Sequence, residues 1–226
     1  MLLSLMTVSM ALAQKESPYS SEKQERVWTK RKAWFNIAYN KQSLKTNECN
    51  VWQHSDWGMG ISTGRTFYLH KRPILGLMKF GLDWTYFDLN VASYAKLPYE
   101  YNEGFYPNEE EGFSYGEEGD EESSDLYKGE AGMMFGPSLT VNPVDVLKVA
   151  IYFRVLPCYS MIYNDGFQGK YATYFTYGAS ISWRVISLGI EQRWGDTKLD
   201  CGFDGEKSSD VTFSAKGPRF YLSFRF

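Results

Sequence analysis

Beyond its first 13 residues, this chain has no stretch that approaches the run of about 20 apolar residues required by a transmembrane helix. Metal-binding and catalytic side chains are also scarce, with two histidines and three cysteines in 226 residues. Cys49, Cys158 and Cys201 match no zinc spacing. There is no glycine-rich phosphate loop and no nucleic-acid-binding signature. The sequence therefore predicts no metal, no cofactor and no nucleic-acid partner.

The N-terminus has features of an export signal. Residues 1–13 are apolar and uncharged, and Ala11, Leu12 and Ala13 precede Gln14 as in a signal-peptide cleavage site. The basic segment that normally comes first is missing, and a buried N-terminal helix is the alternative interpretation. We expect a signal peptide over 1–13, cleavage near Gln14 and a flexible periplasmic leader over 14–30.

Aromatic residues and glycine are abundant, at 17% of the chain and 20 residues respectively, which fits many strands and tight turns.

Charge is distributed unevenly along the sequence. Residues 100–125 contain 11 of the 27 acidic residues and no Lys or Arg, which leaves 16 acidic against 24 basic residues elsewhere. The pattern predicts one acidic loop on a mildly basic body.

After residue 30, apolar and polar residues alternate with a period of two, and this pattern predicts β-strands. The C-terminal segment shows it best, with an apolar face made of Phe220, Leu222, Phe224 and Phe226. Seven earlier segments alternate in the same way, at 34–39, 57–68, 78–86, 131–141, 147–155, 174–185 and 188–194. Eight strands are predicted, each long enough for the ~9–11 tilted residues of a membrane crossing.

The predicted connections alternate in length. Tight turns fall at 70–73, 142–145 and 186–187, and longer loops at 42–56, 93–128, 162–170 and 197–215. Short turns at one end and long loops at the other are typical of outer-membrane barrels. We therefore predict an all-β fold over 31–226: an eight-stranded antiparallel up-and-down transmembrane β-barrel with short periplasmic turns and longer extracellular loops.

A soluble eight-stranded barrel with its apolar face inward is the main structural alternative. Three observations favour the apolar face outside. The polar face mixes charges with Gly, Ala, Ser and Thr, as a narrow interior requires. The apolar face carries aromatic residues towards the strand ends, as in interfacial aromatic belts. The last residue, Phe226, is an aromatic in phase with the apolar face.

The alternating aromatics that end at Phe226 resemble the terminal strand of Gram-negative outer-membrane proteins. In that group the strand is the signal read by the barrel-assembly machinery, so the resemblance implies this role for Phe220, Leu222, Phe224 and Phe226. Over 31–226 the architecture resembles small barrels of the OmpA/OmpX type. The resemblance implies a bacterial outer membrane, with lipid and lipopolysaccharide as surroundings. The junction of Ala13 and Gln14 and the Tyr-rich loops suggest Bacteroidota.

The polar face of the predicted strands carries charged residues, which a barrel places in its lumen: Lys79, Asp83, Lys148, Arg154, Arg184, Glu191, Arg193 and Arg225. One interpretation is an internal salt-bridge network that neutralises charges which neither lipid nor an apolar core can solvate. The other is a selective pore. Eight strands leave an interior just wide enough for side chains to fill, and Tyr152, Tyr174 and Tyr221 also point there, which favours the network.

The long acidic loop is the predicted partner-binding segment. Within 93–128, aromatic residues are interleaved with the acids, among them Tyr99, Tyr101, Phe105, Tyr106, Phe113 and Tyr115. A purely solvating loop would lack these aromatics. A solvated, partly disordered loop and a divalent-cation site are the alternatives, although no EF-hand spacing is present.

Two smaller features concern chemistry at the extracellular end. Closing the barrel brings the first and last loops together, which suggests a disulfide between Cys49 and Cys201 in an oxidising compartment. An outer-membrane lipid-modifying enzyme would need a histidine with a serine partner. His54, Ser55 and Asp56 are adjacent, and neighbouring residues of a strand point to opposite faces, so they do not form a triad. The sequence predicts no enzyme.

These features predict an outer-membrane barrel that acts as a structural or interaction protein. It presents surface loops or serves as an accessory subunit of an envelope complex. A narrow small-solute channel is the alternative function, and a lipid-modifying enzyme is a third.

Overall fold

The computed structural model describes residues 28–46, 52–94, 126–144, 146–163, 167–201 and 209–226. Nearly all of them are in β-strands. The strands are β1 (Ala33–Asn40), β2 (Ser43–Thr46), β3 (Trp52–Tyr68), β4 (Met78–Tyr94), β5 (Leu126–Val144), β6 (Leu147–Tyr163), β7 (Phe167–Trp183), β8 (Ile186–Cys201) and β9 (Ser209–Arg225). Among these residues, no helix is long and apolar enough to cross a membrane.

The strands form a closed antiparallel ring with eight positions. Short β1 and β2 share one position, because both pair with β3 on one side and with β9 on the other. Every other strand pairs with its neighbours in chain order, and the pairing of β1 with β9 closes the ring. The predicted eight-stranded antiparallel up-and-down barrel is therefore confirmed.

Register fixes the tilt of the strands. Following hydrogen-bonded partners once around the ring from Ser223 leads through the other strands back to β9 at Phe213, ten residues away. Eight strands about 4.8 Å apart with this stagger tilt by about 40° from the barrel axis. Each residue then rises about 2.5 Å along the axis.

The two faces of the wall have opposite chemistry. Outward side chains such as Phe80, Ile151 and Leu188 are apolar and exposed, whereas inward ones such as Asp83, Arg154 and Ser180 are buried. The outward face also carries an aromatic cluster in which Phe175 stacks on Trp194 with ring centroids 5.9 Å apart. An apolar exterior around a polar, closed interior is stable only in lipid. The chain is thus a membrane-spanning barrel of the outer-membrane type, not a soluble barrel.

The reversals at the periplasmic end differ in position from those predicted. Between β3 and β4 the chain turns at Leu75 and Gly76, both with positive φ, rather than at 70–73. Consecutive positive φ values favour glycine and match the twist of a hairpin. Between β7 and β8 the turn is at Arg184 and Val185 instead of 186–187. Residues 142–144 belong to β5, and only 145–146 connect it to β6.

The strands also extend further at the extracellular end than predicted. The described strands take up parts of the predicted loops 42–56, 93–128, 162–170 and 197–215. The rest of these loops, at 47–51, 95–125, 164–166 and 202–208, lies outside the described residues. Most strands have 16 to 19 residues, more than the ~9–11 of a membrane crossing. The wall therefore projects beyond the bilayer. Polar residues weaken the apolar–polar alternation in these extensions, and for this reason the sequence did not predict them.

The N-terminal leader is anchored at its end. Trp28 is buried in the periplasmic mouth and meets Tyr68 edge-on, with ring centroids 5.3 Å apart. The ammonium groups of Lys79 and Lys148 lie 5.2 and 5.7 Å from its ring centroid. The predicted signal peptide at 1–13, and the leader before Trp28, lie outside the described residues.

Candidate functional site

The barrel interior receives most of the charges that the sequence placed there. Six are inward and buried: Lys79, Asp83, Lys148, Arg154, Glu191 and Arg193. Arg225 also points inward near the periplasmic end and is half-buried. The prediction is wrong for Arg184, which is exposed in the turn after β7 with a φ of 53°. The alternation of β7 ends one residue earlier, at Trp183, and this removes Arg184 from the lumen.

A β-bulge brings in a charge that the sequence did not predict. The pairing of β4 with β5 shifts between Thr85 and Asp88, so Tyr86 and Phe87 both face outward. Asp88 then turns inward and is completely buried. Two adjacent aromatic residues inside an alternating strand were the sequence signal for this change of phase, because a bulge inserts one extra residue.

Three more inward charges were missed for a simpler reason. Lys128 and Glu130 are buried on β5, but the corresponding predicted strand, the fourth, began at Ala131, after the long loop. Continuing its alternation backward would have placed both inside. Arg219 alternates with the apolar residues of the last predicted strand but was not among the predicted lumen charges, and it is also buried in the lumen.

These residues form one continuous chain of ion pairs. At its periplasmic end, Nη2 of Arg154 donates to Asp83 at 2.6 Å, and Nη1 of Arg154 lies 3.9 Å from Glu191. Glu191 in turn lies 3.3 Å from Arg219. The longest of these three links is the one between Arg154 and Glu191. The carboxylate of Asp83, where the series of ion pairs begins, is well fixed because it also accepts hydrogen bonds from Thr66 and Ser138.

The chain continues towards the extracellular end. Arg219 donates to one oxygen of Asp88 at 2.7 Å, and Arg193 donates to the other at 2.8 Å. The second amino group of Arg193 binds Glu130 at 2.9 Å, and Glu130 pairs with Lys128. Acid and base alternate along the whole series: Asp83, Arg154, Glu191, Arg219, Asp88, Arg193, Glu130 and Lys128. We call these eight residues the ion chain.

The ion chain crosses the lumen rather than following the wall. In the closed ring, β4 and β8 are four positions apart and therefore lie opposite each other. The bond between Asp88 of β4 and Arg193 of β8 spans this diameter. Four acids and four bases give zero net charge, and each charge is offset by at least one opposite charge. Such pairing is what makes buried charges tolerable.

Uncharged side chains fill the lumen beside the ion chain. Tyr152 donates to Glu191 at 3.0 Å and lies 2.9 Å from the hydroxyl of Tyr221. Gly189 makes room for this pair, because a Cβ there would lie 2.2 Å from the Tyr221 ring. A second cluster contains Leu44, Ala92, Tyr94, Met134, Leu156, Cys158, Ala172, Tyr174 and Ala215. Cys158 is thus a buried apolar residue of the lumen. Within the described part of the chain, no group of three or more His, Cys, Asp and Glu is arranged to hold a metal.

Several predicted site residues lie outside the described residues or remain predictions. The six aromatics of the partner-binding loop, Tyr99, Tyr101, Phe105, Tyr106, Phe113 and Tyr115, are outside them. So is Cys49, and of Cys201 only the backbone, at the end of β8, is described. Phe220, Leu222, Phe224 and Phe226 do share the outward face, which is compatible with an assembly signal but does not test it.

The extracellular end contains a serine–histidine pair that the sequence did not suggest. Ser55 points inward and accepts from the amide of Gln42 at 2.8 Å, while His54 is exposed on the outer face. The partner of His54 is Ser43, directly across on β2, with 2.8 Å between Oγ and Nδ1. The other histidine, His70, is tied into the periplasmic connection by bonds to Arg72 and Phe80.

No protein-family model matches this chain, and no curated protein matches it. Solved structures with a similar fold include Ail of Yersinia pestis in complex with the heparin analogue sucrose octasulfate, at 8% identity and a TM-score of 0.41, covering 87% of this chain and 99% of Ail. Neisserial surface protein A has 10% identity and a TM-score of 0.46, with 86% and 97% covered.

The outer membrane protease OmpT from Escherichia coli is a further similar structure, at 10% identity and a TM-score of 0.39, with 86% of this chain and 97% of OmpT covered. The likeness concerns the fold alone. The membrane assignment of the present chain rests on its own outward face, and the suggested origin in Bacteroidota stays a prediction.

Proposed function

We propose that this outer-membrane barrel is a closed structural or interaction protein rather than a channel or an enzyme. The observation that supports this is the ion chain, whose link between Asp88 and Arg193 spans the lumen from β4 to β8. An eight-stranded interior is only wide enough for its own side chains. The buried side chains of Tyr152, Tyr174 and Tyr221 occupy lumen space that the ion chain does not fill.

In this proposal the barrel is a rigid anchor and its extracellular end is the working part. A network in which every charge is paired fixes the wall strands against one another. The acidic, aromatic segment between β4 and β5, residues 95–125, would then be displayed at a defined height for an envelope partner. Its aromatic residues would supply the contact area, because such side chains dominate the energy of protein interfaces.

Planar-bilayer conductance tests the closed lumen. Purified protein inserted into a bilayer is expected to give no steady channel steps. A variant with Asp88→Ala, Arg193→Ala and Arg219→Ala lacks the ion pairs that cross the lumen and is expected to conduct. Its channel steps serve as the positive control, because they show that the assay detects an inserted barrel with an open lumen. Phe153→Leu, a change on the lipid-facing side of β6, is the matched control and should stay silent. Steady, uniform steps from the unmodified barrel would replace this proposal with a small-solute channel.

Cross-linking in intact cells tests the interaction role. One envelope protein recovered by affinity purification from the full-length chain, and lost when 99–115 is replaced by a Gly/Ser linker of equal length, is the expected result. An accessory-subunit role predicts that the partner remains bound through purification. Recovery of the same partner from the variant with the Gly/Ser linker would show that the loop is not the binding segment.

The pair of Ser43 and His54 supports a second candidate, a lipid-modifying hydrolase. A serine hydroxyl hydrogen-bonded to an imidazole is the minimal arrangement of a nucleophile and its base, and this pair lies on the outer face near the extracellular end. Lipid A mass spectra of cells that express the protein, Ser43→Ala or His54→Ala distinguish the two functions. The closed-barrel proposal predicts identical spectra, whereas a hydrolase predicts a mass change that both variants abolish.

A further inference from the structure

The outward faces of β5, β6 and β7 carry no charged residue over their whole length. These positions are the odd-numbered residues 127–143, 147–163 and 167–183, and all are apolar, glycine, proline, tyrosine or a single threonine, Thr173. The strands that follow β7 differ. On β8 and β9 the outward positions reach Asp196, Lys198 and Lys216, which are all exposed.

The charged side of the barrel marks the height at which the lipid ends. Lys216 lies ten residues above Phe226 on β9, and Asp196 lies ten residues above the start of β8 at Ile186. At about 2.5 Å per residue both are about 25 Å above the periplasmic rim. This equals the ~25 Å height of the apolar band of outer-membrane barrels.

The uncharged side continues above that height. On β6 the residue ten positions above Leu147 is Pro157, and on β7 the residue ten positions above Trp183 is Thr173. The strands extend six residues further, which is a rise of about 15 Å. The outward side chains of this extension, with Tyr127 of β5, form a patch that we call the aromatic face: Tyr127, Tyr159, Met161, Tyr163, Phe167 and Tyr171.

The aromatic face is exposed although no hydrocarbon reaches it. Tyr163, Phe167 and Tyr171 are 52%, 64% and 65% exposed, respectively. At this exposure each ring offers on the order of 100 Å², so the five rings together offer on the order of 500 Å². That is a large part of the ~800 Å² per partner in a stable interface. Contiguous apolar patches of this size mark interaction sites.

We propose that the aromatic face is the contact between two copies of this chain. Both copies must keep the same orientation in the bilayer, so a two-fold axis along the membrane normal relates them. Such an axis sets every residue opposite residues of the same height. Aliphatic residues of the band then meet aliphatic residues, and aromatic residues above the band meet aromatic residues. A charge-free face pairs with itself without like-charge repulsion, and the wall that carries Asp196, Lys198 and Lys216 does not.

The dimer is independent of the closed lumen, because one depends on outward side chains and the other on inward ones. A photo-reactive benzoyl-phenylalanine at position 163 or 171, activated in intact cells, is expected to give a cross-linked species of twice the mass that contains only this chain. The same probe at Asp56, exposed at comparable height on β3, which lies opposite β7 in the ring, is the matched control and should give none. Cross-links only to lipopolysaccharide or to a different protein, or none at all, would overturn the dimer.

Sedimentation in lipid nanodiscs or mild detergent provides a second readout. Tyr163→Ser with Tyr171→Ser is expected to weaken dimerisation by at least about tenfold, since aromatic residues dominate interface energies. Asp56→Ser with Lys216→Ser, on β3 and β9 away from the aromatic face, should leave it unchanged. Heat-dependent gel migration confirms that each variant is folded. A monomeric unmodified protein, or a dimer that both double variants leave intact, would overturn the proposal.

Discussion

The two faces of each strand follow opposite rules, and β6 shows this within two residues. Arg154 is buried in the lumen and bonded to Asp83, whereas Phe153 beside it is exposed towards lipid. An inward polar group has to find a partner among fixed side chains, because no solvent reaches it. An outward apolar group needs only a fluid medium that adapts to its shape. Errors on the inner face should therefore cost more than errors of similar size on the outer face.

The largest expected effect follows the loss of the crossing cation. Arg193→Ala leaves Asp88 with one cation and Glu130 with Lys128 alone, and should lower the free energy of unfolding by about 3–5 kcal/mol. Urea unfolding in detergent micelles, followed by tryptophan fluorescence, measures this change. The control is Arg225→Ala, where the side chain is inward but half-buried, and a loss below about 1 kcal/mol is expected. Equal losses in the two variants would contradict a special role for the ion chain.

A charge placed on the outer face tests the lipid side of the comparison. Ile190 is exposed on β8 near mid-height of the band, and Ile190→Lys should cost about 2–4 kcal/mol because lipid solvates no charge. Asp56→Lys, at an exposed site near the extracellular end of β3, should change stability by less than about 0.5 kcal/mol. Refolding into lipid vesicles measures both. A tolerated lysine at 190 would argue against the proposed position of the band.

Space on the inner face is tested by a single methyl group. In Gly189→Ala the new Cβ would lie 2.2 Å from the ring of Tyr221, which forces that ring or the backbone to move and should cost about 1–3 kcal/mol. At Gly129, which faces outward, a Cβ meets only the flexible Met161 side chain, at 2.9 Å. Gly129→Ala should therefore be nearly neutral in the same urea titration, and a reversed order would be inconsistent with a packed lumen.

The smallest effect is expected at the periplasmic mouth. Trp28→Phe keeps a buried ring but weakens an edge-on aromatic contact and two cation–π contacts, which should cost less than about 1 kcal/mol. Trp28→Ala also loses the burial of the ring and should cost more. Limited proteolysis before residue 28 reports whether the leader has detached, and unchanged cleavage in Trp28→Ala would show that other contacts anchor it.

The fold was predictable because period-two alternation is a local property that survives along most of each strand. The lumen was only partly predictable. Asp88 was missed because a bulge reversed the alternation after Thr85, and bulges depend on pairing between strands. Arg184 was wrongly included because the position of a two-residue turn is set by the register of β7 and β8. The links between opposite strands, such as Asp88 with Arg193, have no local signal at all.

By itself the sequence determined that the chain forms strands, which residues share a face, and that the face ending at Phe226 belongs in lipid. These conclusions follow from the geometry of a single strand and the chemistry of its side chains. The tertiary structure decided the stagger of ten residues around the ring, and with it the heights and partners of every side chain. Only this stagger connects four acids and four bases into one chain and lifts the aromatic face above the band, because both depend on residues far apart in the sequence.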